Sequence, residues 1–312
     1  MHPDIHGIWP ALLTPVGPDG TLDAARALAH AQRMLRGGSD GVTLFGTTGE
    51  GPAFTVAERE GLLESLLAGG IRPDQCVVTI TALALQDAIA LGRHAAALGV
   101  FRQMLMPPFY FNQPRDAGLA DAVSQVIAGI NKGTTNGVSG DRLRLLLYHF
   151  PAMSTFGFSH PLIAELVRRH GVQIAGVKDS SGELGHSLAL VKAFPGLSIL
   201  VGAEPTLAPV LLAGGAGSIN GLANIAPGLM HRIMVAPSSV SAQDVALMTD
   251  LLALLNVRPG MPFVGAYKVM LAEQTGDDFW LNMRAPLHRL ETHEEEAIRQ
   301  GYRHIGERLK AI

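Results

Sequence analysis

The feature that most constrains the fold is a regular alternation of short β-rich runs with longer Ala- and Leu-rich stretches of helical period. This alternation is typical of repeated βα units around a parallel sheet. Eight β-rich runs can be placed, at residues 8–14, 41–45, 76–81, 101–106, 143–148, 173–178, 198–201 and 217–221. Eight units without a reversal favour a closed (β/α)8 TIM barrel, an α/β fold, over a doubly wound sheet.

Start and stop signals delimit the helices between these runs. A helix over 22–36 is expected to end at Gly37-Gly38, and Thr55 with Glu58 forms a capping box that opens the next helix. A polar, turn-rich insertion at 131–137 is predicted to be a surface loop.

The strand signals cease after about residue 230, which suggests a division of the chain into two regions. Helices are predicted beyond that point over 241–255, 261–273 and 291–310. We therefore expect a barrel catalytic domain at 1–230, followed by a C-terminal helical region at 231–312.

Composition excludes several classes of protein. Hydrophobic residues make up 47% of the 312 residues and charged residues 16%, which indicates a compact chain with an ample core. With a net charge of −3 and no basic stripe, the chain is not expected to bind nucleic acid. We expect no signal peptide and no membrane span, and hence a cytoplasmic protein.

The single cysteine, Cys76, opens a β-rich run and is predicted to be structural.

Lys178 is the first candidate for chemistry. It ends the sixth β-rich run, and barrel active sites lie where strands end. Strand alternation places it on the same face as Gly176, where a glycine is expected to leave room for a ligand. Partly apolar surroundings would favour the neutral amine, which can attack a ketone. The residues alone are equally compatible with a strand-end lysine that reaches solvent.

A glycine-rich turn follows the second β-rich run. Gly46, Thr47, Thr48 and Gly49 would let the backbone approach a ligand and would present N–H and hydroxyl donors, which suits a carboxylate. An ordinary βα turn is the alternative, and the Gly-Lys-Ser/Thr ending of a phosphate-binding loop is absent. Glu50 is expected to tie down the turn by hydrogen bonds.

Tyr148 ends the fifth β-rich run, next to the lysine run. The chain has only 4 tyrosines, and one on the barrel rim is a candidate proton shuttle, although such a residue can also serve packing alone. His149 alternates to the opposite face and is predicted to be structural. The histidines and the lone cysteine suggest no zinc motif, so a metal-dependent aldolase is disfavoured.

Taken together, these motifs resemble those of the dihydrodipicolinate synthase / N-acetylneuraminate lyase family. The residues 46–50 (Gly-Thr-Thr-Gly-Glu), Tyr148-x-x-Pro151 and 176–179 (Gly-Val-Lys-Asp) have that family's order and spacing, and 11–15 is similar to its first strand. The resemblance implies a (β/α)8 barrel with C-terminal helices, usually a homotetramer. It also implies a class I aldolase with neither metal nor organic cofactor.

Residue roles follow from the resemblance. Lys178 would form the Schiff base and Tyr148 would move protons. Thr47 and Thr48, with Gly46, would hold the carboxylate of a 2-oxo acid. Tyr110 is similar to the tyrosine that reaches into a neighbouring subunit's site, and Phe111 competes for that assignment in an alternative alignment.

Departures from the family pattern concern the substrate. Met153 occupies the place of the arginine with which the synthases bind their second substrate's carboxylate, and Tyr148-x-x-Pro-Ala-Met-Ser resembles the lyase form. The segment 202–205 resembles the lyases' Gly-x-Asp-Glu, with Glu204 in the aspartate position and Pro205 in place of the glutamate. A pocket for another hydroxylated chain is therefore expected, lined by Ser180, Gly202, Glu204, Ile219, Asn220 and Met153.

The sequence thus predicts a Schiff-base lyase that cleaves or forms a carbon–carbon bond between pyruvate and an aldehyde. The expected substrate is a 2-oxo-3-deoxy sugar acid or a related 2-oxo acid. The alternatives are 4-hydroxy-tetrahydrodipicolinate synthase and a dehydratase that uses the same imine. A barrel that binds 2-oxo acids without turnover is the least favoured reading.

Overall fold

A computed structural model of the chain describes residues 5–132, 142–257 and 263–310. Its centre is one sheet of eight parallel strands in the order β1-β8-β7-β6-β5-β4-β3-β2. The strands are β1 (Gly7–Pro10), β2 (Val42–Leu44), β3 (Cys76–Thr79), β4 (Arg102–Leu105), β5 (Arg144–His149), β6 (Ile174–Asp179), β7 (Ser198–Val201) and β8 (Gly217–Asn220). Each of the eight predicted β-rich runs overlaps one strand; β1 begins one residue before its run, and β5 and β6 end one residue after theirs.

The sheet closes on itself. At one junction β1 pairs in parallel with β8, from Gly7 opposite Gly217 onward. At the other, Ala11 bridges to Thr43 of β2, and the Leu12 N–H donates to the Thr43 carbonyl over 2.9 Å. Closure removes the unpaired sheet edges and collects the C-terminal ends of all eight strands on one rim. The predicted TIM barrel is confirmed.

Helices follow the strands in turn and continue beyond the barrel. They are α1 (Ala24–Arg36), α2 (Val56–Ala68), α3 (Leu85–Ala97), α4 (Asp116–Lys132), α5 (Pro151–Ser154), α6 (His160–His170), α7 (Leu184–Ala193), α8 (Leu207–Leu212), α9 (Pro227–Val235), α10 (Ala242–Ala253), α11 (Phe263–Thr275) and α12 (Thr292–Lys310). Short 3-10 turns lie at Gly51–Ala53, Pro73–Gln75, Gly171–Gln173, Glu204–Thr206, Leu222–Asn224, Pro237–Ser239, Leu254–Asn256 and Asp278–Leu281. The predicted capping box of Thr55 and Glu58 opens α2.

One loop prediction needs correction. Asn131 and Lys132 are the last residues of α4, whose buried face continues to Ile130, so they are helical rather than part of a loop. The rest of that insertion, 133–137, lies outside the described residues. Residues 261–262, where a predicted helix begins, also lie outside them.

Apolar side chains fill three connected layers. One lies inside the barrel and includes Trp9, Met104 and Leu200, and a second lies between the strands and the outer helices. The third joins β1 and β7 to α8–α12, so the C-terminal helices cover one side of the barrel. Cys76 is buried in the second layer, and burial raises the pKa of its thiol to about 12. Within the described part of the chain, no helix is both long and apolar enough to span a bilayer.

A buried polar contact ties α1 to the barrel. His30 Nε2 lies 2.9 Å from Asn224 Oδ1, and Asn224 Nδ2 donates to the Ala11 and Gly221 carbonyls. Because that amide nitrogen is the donor, Oδ1 is the acceptor, so His30 Nε2 carries a proton. Burial, together with the charge of Arg33, lowers the pKa of His30 to about 3.

We predict that His30 makes the fold sensitive to acid. The unfolded chain takes up a proton at His30 as the pH falls below about 6.5, whereas the folded chain does so only near pH 3, so stability is lost on acidification through that window. The variant His30→Gln should show a shallower dependence of unfolding free energy on pH, by up to about 1.4 kcal/mol per unit. The unfolding free energy of both proteins is measured by urea titration at pH 7.5, 6 and 5. Exposed His293→Gln is the control, and parallel curves for His30→Gln and the natural chain would contradict the prediction.

Candidate active site

Two candidate side chains meet at the C-terminal rim on adjacent strands. Tyr148 of β5 lies opposite Lys178 of β6 in the parallel register. The Lys178 Nζ is 3.9 Å from the centre of the Tyr148 ring and 5.9 Å from that of Phe150. Lys178 is only 6% exposed, so its amine faces aromatic rings inside the barrel mouth rather than bulk solvent. The alternative of a solvent-reaching lysine is wrong.

The predicted glycine-rich turn brings Thr47 to the same place. Thr47 Oγ1 lies 3.1 Å from Tyr148 Oη, within hydrogen-bond distance. The turn is bounded by Phe45 and Glu50, whose φ angles of 58° and 56° are in the left-handed region that non-glycine residues seldom adopt. The N–H groups of Thr47 and Thr48 have no backbone acceptor among the described residues, which leaves them for a ligand.

Most of the predicted site residues surround one cavity of about 420 Å³. Its walls come from the ends of several strands and from the loops that follow them. The predicted residues in its lining are Thr47, Thr48, Tyr148, Lys178, Ser180, Gly202, Glu204, Ile219 and Asn220. The closed barrel therefore collects, at one rim, residues that are far apart in the sequence.

A second, smaller cavity of about 160 Å³ lies on the other side of Thr47 and Tyr148, which line both. Gly46 and Met153 belong to this cavity and not to the larger one. Its remaining walls are mostly apolar and include Phe45, Met106 and Phe109. Gly46 and Met153 are thus separated from the other predicted cavity residues by the Thr47–Tyr148 pair.

Tyr110 does not join the site within a single chain. Its side chain is 75% exposed, and it contacts the equally exposed Phe111 edge to face at 5.5 Å between ring centres. Both rings lie in the loop between β4 and α4 and are available to a partner molecule.

At two glycines near the rim, neighbouring atoms leave no room for a Cβ. A Cβ on Gly202 would lie 2.2 Å from Ser180 Oγ, so only glycine permits that contact. A Cβ on Gly176 would lie 2.0 Å from the Ser198 carbonyl oxygen. The expectation that Gly176 leaves room for a ligand is therefore wrong, because the backbone of β7 fills the space.

Glu204 is a buried carboxyl in the wall of the larger cavity. Its Oε1 accepts hydrogen bonds from the Leu222 N–H at 3.0 Å and from Tyr267 Oη at 3.4 Å. Burial raises the pKa of Glu204, and the hydrogen bond from Leu222 and the charge of Lys178 only partly oppose that rise. Burial therefore favours the neutral form of Glu204 more than it would in an exposed glutamate.

Tyr267 was missed by the sequence reading, as was the rest of the cavity wall that the C-terminal region supplies. That wall consists of Leu252, Leu255, Asn256, Phe263 and Tyr267. The rarity of tyrosine was the one available signal for Tyr267. The other four are residue types common on any helix, so the sequence gives no sign that they reach the barrel mouth. Their approach depends on long-range packing.

A cluster of potential metal ligands lies next to Lys178. Among the described residues, His149, Asp179 and His186 are the group whose donor atoms could hold an ion. However, His149 Nδ1 accepts a hydrogen bond from the Phe158 N–H at 3.1 Å, so its proton is on Nε2 and neither nitrogen offers a free lone pair. Asp179 already accepts from His186, Ser187 Oγ and the Ser181 N–H. The donor set does not fit a metal, and the cluster serves as a hydrogen-bond network.

Comparison with known proteins agrees with this geometry. The sequence model of the dihydrodipicolinate synthetase family matches residues 4–304. An uncharacterized DapA-like lyase of Chloroflexus aurantiacus is 33% identical, covering 96% of each chain. A crystal structure of dihydrodipicolinate synthase from Agrobacterium tumefaciens is 32% identical with a TM-score of 0.86, covering 96% of this chain and 99% of that one. The sialic acid aldolase of Ruminococcus gnavus, at 18% identity, shares the fold with a TM-score of 0.87, covering 100% of this chain and 99% of that one.

Proposed function

This chain belongs to the dihydrodipicolinate synthetase family and is a lyase, and we propose that its site works through a Schiff base between Lys178 and pyruvate. The observation that carries the proposal is the meeting of Lys178, Tyr148 and Thr47 at one rim of the barrel. The Tyr148 phenol contacts both the buried Lys178 amine and the Thr47 hydroxyl, and an amine with a neighbouring proton donor and acceptor is what imine chemistry requires.

The reaction is proposed to begin when the neutral Lys178 amine attacks the ketone carbon of a 2-oxo acid. Tyr148 donates its phenolic proton to the departing hydroxyl, so that water leaves and a protonated imine and the Tyr148 phenolate remain. The resulting protonated imine withdraws the electron pair of the C3–C4 bond as that bond breaks. Tyr148 accepts the proton of the C4 hydroxyl through Thr47 or directly, and an aldehyde leaves. The Tyr148 phenol then protonates the remaining enamine at C3. Hydrolysis of the protonated imine returns a proton to the phenolate, releases pyruvate and regenerates the amine. The same steps in reverse form the bond.

The carboxylate of the 2-oxo acid is proposed to bind at the turn of Thr47 and Thr48. Two backbone N–H groups without a backbone acceptor and two hydroxyls form a concave set of donors at that turn. Placing the carboxylate there directs the adjacent ketone toward Lys178, since both groups line the same cavity. No metal or organic cofactor has a part in these steps.

The remainder of the substrate is proposed to extend into the larger cavity as a hydroxylated chain. Ser180, Glu204 and Asn220 offer hydroxyl, carboxyl and amide groups to substrate hydroxyls there. A 2-oxo-3-deoxy sugar acid or a related 2-oxo acid has the required chemistry. A dehydratase that uses the same imine would release water instead of an aldehyde, and proton NMR of the products distinguishes these outcomes.

The synthase reaction is the second candidate, because the 32% identical structure from Agrobacterium carries that name. Against it, Met153 stands where the synthases have an arginine. Met153 borders the smaller apolar cavity, and the described residues of that lining include no charged side chain. The carboxylate of aspartate semialdehyde would find no charged partner there.

The assembly is proposed to be a cytoplasmic homotetramer. The exposed rings of Tyr110 and Phe111 would then meet a neighbouring subunit, and the small cavity beside Thr47 and Tyr148 could receive an aromatic ring from it. In that arrangement Tyr110 would extend the Tyr148–Thr47 pair into a proton path, and Phe111 is the alternative ring at that position.

Trapping with borohydride tests the proposed imine. Pyruvate followed by borohydride should attach irreversibly to Lys178, because an imine forms only where an uncharged amine meets a bound ketone. Mass mapping of peptides locates the label. The variant Lys178→Arg places a guanidinium of similar length at this position, which forms no imine, and it should remain unmodified. An unlabelled natural protein, or a label on Lys192 or Lys268 instead, would refute the mechanism.

The role of Tyr148 is tested with Tyr148→Phe. The ring beside Lys178 is retained but the hydroxyl bonded to Thr47 is lost, so imine trapping should persist while turnover slows by roughly 10²–10⁴-fold. Steady-state kinetics and borohydride labelling are measured on the same samples. Tyr302→Phe alters another buried tyrosine outside the cavity and serves as the control. Unchanged turnover in Tyr148→Phe would assign the residue to packing.

Substrate preference is tested with Met153→Arg. An arginine can make a charge-assisted bond to the semialdehyde carboxylate, worth about 1.5–3 kcal/mol, which methionine cannot supply. The variant should therefore raise kcat/KM for aspartate semialdehyde by roughly 10–100-fold, with no gain for a neutral sugar aldehyde. Both aldehydes are compared with pyruvate in the natural protein and the variant. A natural protein that condenses the semialdehyde at about 10⁴ M⁻¹s⁻¹ or more would favour the synthase.

A further inference from the structure

The carboxylate-binding turn is anchored from the C-terminal region by a buried ion pair. Glu50, the last residue of the turn, forms that pair with Lys268 of α11, and the two side chains are 0% and 1% exposed. The second Glu50 oxygen, Oε2, accepts a hydrogen bond from the Arg284 N–H at 3.3 Å. Lys268 Nζ also donates to the Asn282 carbonyl at 2.8 Å. Neither side chain lines the cavity, so the ion pair supports the turn without contacting a ligand in the cavity.

The backbone of the turn makes such an anchor necessary. Glu50 has a left-handed φ of 56°, and a Cβ on the next residue, Gly51, would lie 2.0 Å from the Phe45 carbonyl oxygen. A conformation of this kind persists only where the surroundings hold it. Thr14 Oγ1 donates to the Gly49 carbonyl at 2.7 Å from the barrel side, and Lys268 holds the turn from the helical side.

The neighbour of Lys268 on α11, Tyr267, lines the larger cavity itself. Tyr267 donates to Glu204 and packs so closely on the end of β8 that a Cβ on Gly221 would lie 2.4 Å from its ring. Two consecutive residues of one helix therefore contact two parts of the site, the turn through Glu50 and the cavity wall at Glu204. Lys268 fixes the turn proposed to bind the carboxylate, and Tyr267 supports the wall proposed to receive the hydroxylated chain.

We propose that Lys268 is a positioning residue, which acts through Glu50 to hold the Thr47–Thr48 turn in the conformation that receives the carboxylate of the 2-oxo acid. It sets the affinity for pyruvate and leaves the chemistry at Lys178 unaltered. This inference rests on the proposed function, since it assigns the turn to the pyruvate carboxylate.

An ion pair that only stabilises the fold would behave differently, and a double variant separates the two roles. Removing one partner leaves an unpaired buried charge, which destabilises the protein whatever the role of the pair. Removing both charges relieves that cost. If Lys268 positions the turn, pyruvate affinity should stay low in the double variant although stability returns.

The experiment uses the full-length protein in four forms: natural, Lys268→Met, Glu50→Gln and the variant with both changes. Melting temperature reports stability, and borohydride labelling of Lys178 at increasing pyruvate concentrations gives the half-saturating concentration. We expect both single variants to melt lower and the double variant to recover most of that loss. Half-saturation should rise by about 10–100-fold in all three, the effect of a misplaced binding group, while the labelled fraction at saturation stays near that of the natural protein.

Arg299→Met is the matched control. It breaks the ion pairs of Arg299 with Glu273 and Asp278 in the same C-terminal region, away from the cavity lining. Its half-saturating pyruvate concentration should equal that of the natural protein. A double variant that regains natural pyruvate affinity together with stability, or that fails to fold, would overturn the proposal. Absence of labelling in the natural protein would instead refute the imine itself, so the two failures are distinguishable.

Discussion

The direction in which the Lys178 side chain points depends on one extra residue in β6. Leu145 of β5 pairs with Ile174, but the next residue, Leu146, pairs with Gly176, so Ala175 is inserted into the ladder. Side chains alternate between the two faces of a strand, and an inserted residue reverses the faces of everything beyond it. Ile174 and Val177 both face the apolar layer between the strands and the outer helices. Two residues separate them, whereas regular alternation would allow only an odd number. Without the bulge, Lys178 would face the helices; with it, Lys178 faces the barrel mouth beside Tyr148.

Burial of polar groups at this rim is tolerated because the surrounding loops satisfy them. Buried hydrogen-bonding groups without partners are costly, and the rim supplies partners from the backbone of neighbouring units. The Leu222 N–H binds Glu204, the Ala223 N–H binds Asn220 Oδ1, and the Gly202 N–H binds the Asp179 carbonyl. These contacts fix the walls of the cavity before any ligand enters, which limits the reorganisation that binding requires.

Periodicity and turn signals predicted the barrel, all eight strands and the placement of Lys178, Tyr148 and Thr47 on a common rim. Those features follow from local pattern, since parallel strands of a closed barrel must end together. The sequence could not predict that Gly176 admits the Ser198 carbonyl, because that contact depends on how β6 and β7 pack. Nor could it predict the partner of Glu50, which lies on α11, or the cavity wall formed by Phe263 and Tyr267. Both depend on where the C-terminal helices dock, and no local signal encodes that.

The site separates the groups proposed to carry the chemistry from those proposed to contact the rest of the substrate. Lys178 and Tyr148 lie on two adjacent strands whose register fixes their distance. The walls that would distinguish substrates come from elsewhere: Glu204 from the loop after β7, Tyr267 from α11 and Met153 from the segment after β5. Because the two sets are held by different elements, the walls can change in polarity without moving the amine relative to the phenol. On the proposed mechanism, the identity of the second substrate is therefore a property of the loops and of the C-terminal helices, whereas the imine chemistry at Lys178 is a property of the barrel.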